Sequence, residues 1–111
     1  MSAKLNPRLA AVYKHLRHEF EVDGPALEEL VETLVLNLRD LRQALREAAG
    51  ADDAAALAEH GHALKGIAAN TGQDDLRQAA AALEELARGV DRGHVRLAIE
   101  AIDGMLMELG C

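Results

Sequence analysis

Leu27, Leu30, Leu34, Leu38, Leu41 and Leu45 recur every three or four residues through an uninterrupted stretch, with Val31 and Val35 beside them. An α-helix, at about 3.6 residues per turn, gathers such a series on one face, whereas a strand would scatter it over both. From Pro25 to Ala49 that helix would be about 37 Å long. Its apolar face is wide enough to meet two neighbours, so the remaining chain must supply surfaces to cover it. Those surfaces carry the same period. Leu9, Val12, Leu16 and Phe20 form one stripe, with Tyr13 on its edge, and Leu57, Gly61, Leu64 and Ala68 form another. Leu76, Ala79, Ala80, Leu83, Leu86 and Val90 make a third, and Val95, Ile99, Ile102, Leu106 and Leu109 a fourth.

Caps and breakers separate the stripes. Asn6-Pro7 reads as an N-cap followed by proline at the first helical position. Asp23-Gly24-Pro25 punctuates the chain again, Gly50 ends the leucine-rich helix, and Asp52 or Asp53 caps the next. Gly72 supplies a left-handed stop, Asp74 or Asp75 opens a fourth helix, and Gly89 and Gly93 flank the last connection. The spacing predicts helices over about 7–20, 25–49, 53–71, 74–88 and 93–109, with the residues before Asn6 frayed. One Tyr, one Phe, no Trp and two Pro leave little sheet-forming material. The expected fold is all-α: one domain over 1–111, an antiparallel up-and-down four-helix bundle of the last four helices. The first helix would cap or extend it.

Charge and composition exclude several functions. Nineteen acidic residues against 12 basic ones give a net charge of −7, which argues against backbone binding to nucleic acid and against an anionic membrane surface. No apolar run is long enough to span a bilayer and no signal-peptide layout is present. The single cysteine, Cys111, permits no intrachain disulfide and no thiolate cluster. A cytoplasmic location is therefore expected. His60 and His62 diverge by about 200° on a helix, and His15 and His18 lack a carboxylate or cysteine at suitable spacing, so no metal site is expected. Nor is there a serine nucleophile beyond Ser2 or a glycine-rich phosphate loop.

One constellation stands out. His62 and Lys65 share a helix face one turn apart, and Gly66 adjoins them without a side chain. A glycine inside a helix costs about 1 kcal/mol relative to alanine; room for a group docking on His62 would account for it. His62, Leu64, Lys65, Gly66, Gly72 and Leu76, with the pair Leu83-Glu84 on the next helix, resemble the phosphoacceptor motif of the histidine-containing phosphotransfer (HPt) domain family. The order of apolar stripes extends the resemblance over nearly the whole chain. It departs from the family pattern at Ile67, where a small residue is common, and at Thr71, where an apolar one is. The helix before the motif also lacks a frequent phenylalanine.

The resemblance implies a phosphocarrier of a multistep two-component phosphorelay. His62 would accept a phosphoryl group from a receiver-domain aspartyl phosphate and pass it to another receiver's aspartate. Lys65 would stabilise the phosphoryl oxygens, Gly66 would give access, Glu84 would orient the imidazole, and Arg88 would add a contact to the phosphoryl group or the partner. From the residues alone, Glu84 reads equally as a solvent-facing partner of Arg88 four residues on. No cofactor of its own is implied; Mg2+ would sit in the partner receiver. The implied partners are response-regulator receiver domains and a hybrid sensor histidine kinase, met by a monomer through a surface around His62 that includes Tyr13 and Val35. Autonomous turnover, hydrolysis or autokinase activity is not expected. The alternative is a helical docking module that binds a kinase or receiver without carrying phosphate.

Overall fold

The computed structural model describes residues 6–89 and 92–111, and in these it holds five helices and no strand. They are α1 (Pro7–Phe20), α2 (Gly24–Gly50), α3 (Ala54–Asn70), α4 (Asp74–Ala87) and α5 (Arg92–Met107). The expected fraying before Asn6 and the expected burial of Val90 lie outside the described residues.

The starts of α1, α2 and α3 follow from side-chain capping of free backbone amides, whereas α4 begins after Gln73 with no side-chain cap and carries Asp74 and Asp75 in its first turn. Asn6 accepts from the amides of Arg8 and Leu9 ahead of Pro7, Asp23 accepts from Gly24, and Asp53 accepts from Ala56 at 3.0 Å. At the end of α3, Gly72 has φ +71°, its amide bonds to Ala69 at 3.4 Å, and the Gln73 amide bonds to Ala68 at 2.9 Å. This paired closure turns the chain back within three residues.

Helix α2 packs on α3, α3 on α4, α4 on α5, and α5 on α2, so the four close into a ring of neighbours joined by short loops. The core between them is aliphatic: Val31, Leu38, Leu45, Leu57, Leu64, Leu76, Leu83, Ile102 and Leu106 are buried. Helix α1 packs on α2 and buries Leu9, Val12 and Leu16. Phe20, expected in the same stripe, is instead 55% exposed. It is the last residue of α1 and lies along an open groove beside α2 and α3.

Two ionic clamps tie the last turns of α5 and the residues beyond it to other helices. Arg8 reaches from α1 to Asp75, to Glu108 at 2.9 Å and to the Gln73 side chain at 3.1 Å. Gln73 in turn donates to the Thr71 hydroxyl, which donates to the Ile67 carbonyl at 2.8 Å. Thr71, polar where the family pattern is commonly apolar, is thus buried with its hydroxyl satisfied. Five residues before Glu108, Asp103 on α5 has both carboxylate oxygens gripped by Arg42 of α2 at 2.5 and 3.1 Å, and Arg42 also donates to the Cys111 carbonyl.

Candidate functional site

The site begins with a close approach of two backbones. Leu57, Gly61, Leu64 and Ala68 form the buried line of α3, facing Leu76, Ala80, Leu83, Glu84 and Ala87 of α4. A Cβ placed on Gly61 would lie 3.3 Å from the Glu84 amide nitrogen and 3.4 Å from the Ala80 carbonyl oxygen. The missing side chain lets α4 slide directly under α3 at the turn that carries His62. Glu84 is thereby drawn into the interface.

Only 6% of Glu84 remains exposed, and it is the one buried charged residue among those described. A carboxylate in that position needs compensation, and three cationic or protic groups supply it. Lys65 Nζ is 2.9 Å from Oε1, Arg88 Nη2 is 2.9 Å from Oε2, and His62 Nδ1 is 3.2 Å from the same Oε2. Lys65, foremost, holds the Glu84 carboxyl below the usual carboxylate range against the opposing effect of burial. Glu84 is therefore ionised at neutral pH, and Nδ1 of His62 carries the proton that it donates to Oε2. The lone pair of the neutral ring is then on Nε2. The His62 side chain is 69% exposed, and among the described residues Nε2 has no partner.

Sequence spacing placed His62 and Lys65 on one face; the structure adds that Glu84 bridges them from the neighbouring helix. The reading of Glu84 as a solvent-facing partner of Arg88 is corrected in one respect. The pair with Arg88 exists, but the carboxylate is buried because α3 passes over it at Gly61. Gly66 lies on the exposed side, where an added Cβ meets nothing within 4 Å. Gly61 was legible as a core residue but not as the site's spacer. A second helix-interior glycine immediately before the histidine was the available signal.

From His62 the exposed surface continues over the small residues Ala63, Gly66 and Ala69. It then drops into an apolar groove of about 220 Å³ between α1, α2 and α3. Leu16, Phe20, Leu30, Leu34 and Ile67 line it, with Asn70 at its rim. Ile67, one of the departures from the family pattern, is thus a groove residue. Tyr13 is elsewhere: its hydroxyl donates to Glu28 beside a separate cavity between α1 and the start of α2. Val35 is partly buried, and its carbonyl accepts from the Cys111 thiol.

Among the described residues no three His, Cys, Asp or Glu side chains gather as a metal ion would require, and no helix is long and apolar enough to cross a membrane. Searches of curated proteins and of solved structures each returned no match. The profile of the Hpt domain matches residues 29–110, from the first turns of α2 to the turn beyond α5. The chain belongs to the Hpt domain family, the histidine phosphotransfer modules that work with receiver domains in phosphorelays.

Proposed function

We propose that this chain is a phosphocarrier that takes a phosphoryl group onto Nε2 of His62 from a receiver-domain aspartyl phosphate and delivers it to the aspartate of another receiver. The observation that carries the reading is the buried, ionised Glu84 held against Nδ1 of an otherwise exposed imidazole. It fixes the tautomer in which Nε2 is the nucleophile, and it faces the positive charge the ring acquires as Nε2 bonds to phosphorus. The aspartyl oxygen–phosphorus bond breaks in the same displacement, and the electron pair leaves with the aspartate carboxylate. Lys65, one turn from His62, is within reach of the phosphoryl oxygens. Mg2+, held by the receiver's own acidic residues, would supply charge neutralisation on the other side of the phosphorus. The chain brings neither metal nor aspartate and turns nothing over alone.

Docking follows from the same surface. Gly66, Ala63 and Ala69 let a receiver's active site descend over His62, and the groove at Phe20, Leu30 and Ile67 receives an apolar element of that receiver. A carrier must leave one partner to meet the next, which favours an interface below about 1,200 Å² and a monomer with His62 open. Partners of this chemistry, including the receiver domain of a hybrid sensor histidine kinase, place the protein in the cytoplasm.

The test is phosphoryl transfer to the purified chain from a panel of phosphorylated receiver domains, with His62→Gln as control. Acid-labile, alkali-stable label confined to His62 and passed on to a second receiver is expected. Receivers that bind without transferring would replace the relay reading with that of a docking module.

A further inference from the structure

The three groups around Glu84 divide its two oxygens unequally. Lys65 has Oε1 to itself, while His62 Nδ1 and Arg88 Nη2 share Oε2. Lys65 can therefore leave without disturbing the oxygen that His62 uses, whereas Arg88 holds that very oxygen. The origins of the two cations differ as well. Lys65 comes from α3, on the same face as His62, and follows whatever happens at the ring. Arg88 is four residues from Glu84, at the C-terminal cap of α4, where a cation is favoured by the helix end irrespective of α3.

Resting on the phosphoacceptor reading, we propose that Arg88 is a positioning residue, the fixed counter-ion that keeps Glu84 against Nδ1 of His62 when Lys65 exchanges from Glu84 to the phosphoryl group. The change in charge on phosphorylation gives the division its reason. Before transfer, with the ring in its nucleophilic neutral form, the Glu84 carboxylate faces Lys65, Arg88 and the imidazole. When the N–P bond forms and the P–O bond to the aspartate breaks, the ring keeps its Nδ1 proton and becomes cationic, and Nε2 carries a phosphoryl dianion. Lys65 is attracted to that dianion and the imidazolium takes its place opposite Glu84. Without Arg88 the carboxylate would face the new dianion with the ring as its sole cation, and it would rotate away. With Arg88 it stays, and the ring leaves as neutral imidazole when the phosphoryl group moves on. Arg88 thus acts through Glu84 rather than on the phosphoryl group, a different role from the direct contact that the family resemblance suggested.

The test reads the Nδ1–H proton resonance of His62 in histidine-labelled full-length protein by NMR, before and after chemical phosphorylation with phosphoramidate, which needs no receiver. Before phosphorylation either cation suffices, so the resonance is expected in wild type, Arg88→Gln and Lys65→Gln, and is lost only in the double variant. After phosphorylation it is expected to persist in wild type and to vanish in Arg88→Gln. Retention in phosphorylated Arg88→Gln overturns the counter-ion role, as does loss in unphosphorylated Arg88→Gln or retention in the unphosphorylated double variant. Failure of phosphoramidate to modify wild-type His62 is a separate result. It would remove the phosphoacceptor reading itself, and the role of Arg88 with it.

Discussion

Gly66→Ala should make the protein more stable and a worse phosphoryl acceptor. A Cβ at position 66 meets nothing within 4 Å, so the substitution introduces no clash and gains the helix propensity of alanine, about 1 kcal/mol. For a domain of this size that gain corresponds to a rise in Tm of roughly 4 °C. The new methyl stands on the open face beside His62, where a receiver must close. Overpacking an interface by one methyl costs on the order of 1–3 kcal/mol, so transfer from a phosphorylated receiver should slow by roughly 10-fold or more. Labelling by phosphoramidate, a small reagent, should be unchanged. Gly61→Ala is the internal comparison. It gains the same propensity, but its methyl would press on the Glu84 amide nitrogen at 3.3 Å and the Ala80 carbonyl at 3.4 Å. Neither backbone atom can move alone, and the net should be a loss of up to about 2 kcal/mol. Thermal unfolding and receiver-transfer kinetics of the two variants decide the matter. Gly66→Ala accepting from receivers at the wild-type rate would refute the assignment of Gly66 to partner access.

Further outcomes follow from the groove, the left-handed turn and the ionic clamps. Ile67→Asp places a charge in the apolar groove and should weaken receiver transfer by roughly 10-fold while leaving phosphoramidate labelling intact; slowing of both would mean that the site itself had been disturbed. Gly72→Ala forces a Cβ into a residue with φ +71° and to within 2.5 Å of His15 Nδ1, so it should cost about 1–2 kcal/mol from backbone strain alone. Adding His15→Ala should recover only the crowding, and full recovery would contradict the strain. The Asp103 and Asp75 carboxyls are held below their ordinary 3.8 chiefly by Arg42 and Arg8 respectively. Their contribution is present above the unfolded value and is lost as pH falls through the lower folded values, so Tm should drop on acidification below about pH 4. Asp103→Asn should make that acid slope shallower; an unchanged slope would show that the Arg42 clamp contributes nothing.

The all-α class and the order of the helices were legible because each apolar stripe repeats at the helical period and each of the first three breaks carries a capping aspartate or a left-handed glycine; at the fourth, Gly93, expected to flank the connection, lies inside α5. Phe20 shows where periodicity stops being informative. The residue continues the stripe of α1, but at the helix end α1, α2 and α3 leave an open groove between them, and Phe20 lines that groove instead of being buried. Tyr13 and Val35 could not be placed from their own helices either. The first depends on Glu28 near the start of α2, the second on the chain returning through α5 to Cys111. At the site, the pairing of His62 with Lys65 is a local property of one helix. The burial of Glu84 is not, because it arises from the contact of α4 with a glycine on another helix. The sharing of its two oxygens among His62, Lys65 and Arg88 is likewise tertiary, and a four-residue spacing between Glu84 and Arg88 equally suits a solvated pair.

The most direct measurement is the position of the phosphoryl group on the imidazole ring of the phosphorylated chain, read by 31P and 15N NMR after transfer from a receiver domain. With Nδ1–H donating to Glu84 at 3.2 Å, modification at Nε2 of His62 alone is the expected result. A phosphoryl group on Nδ1, a mixture of the two, or label on any residue other than His62 would contradict it.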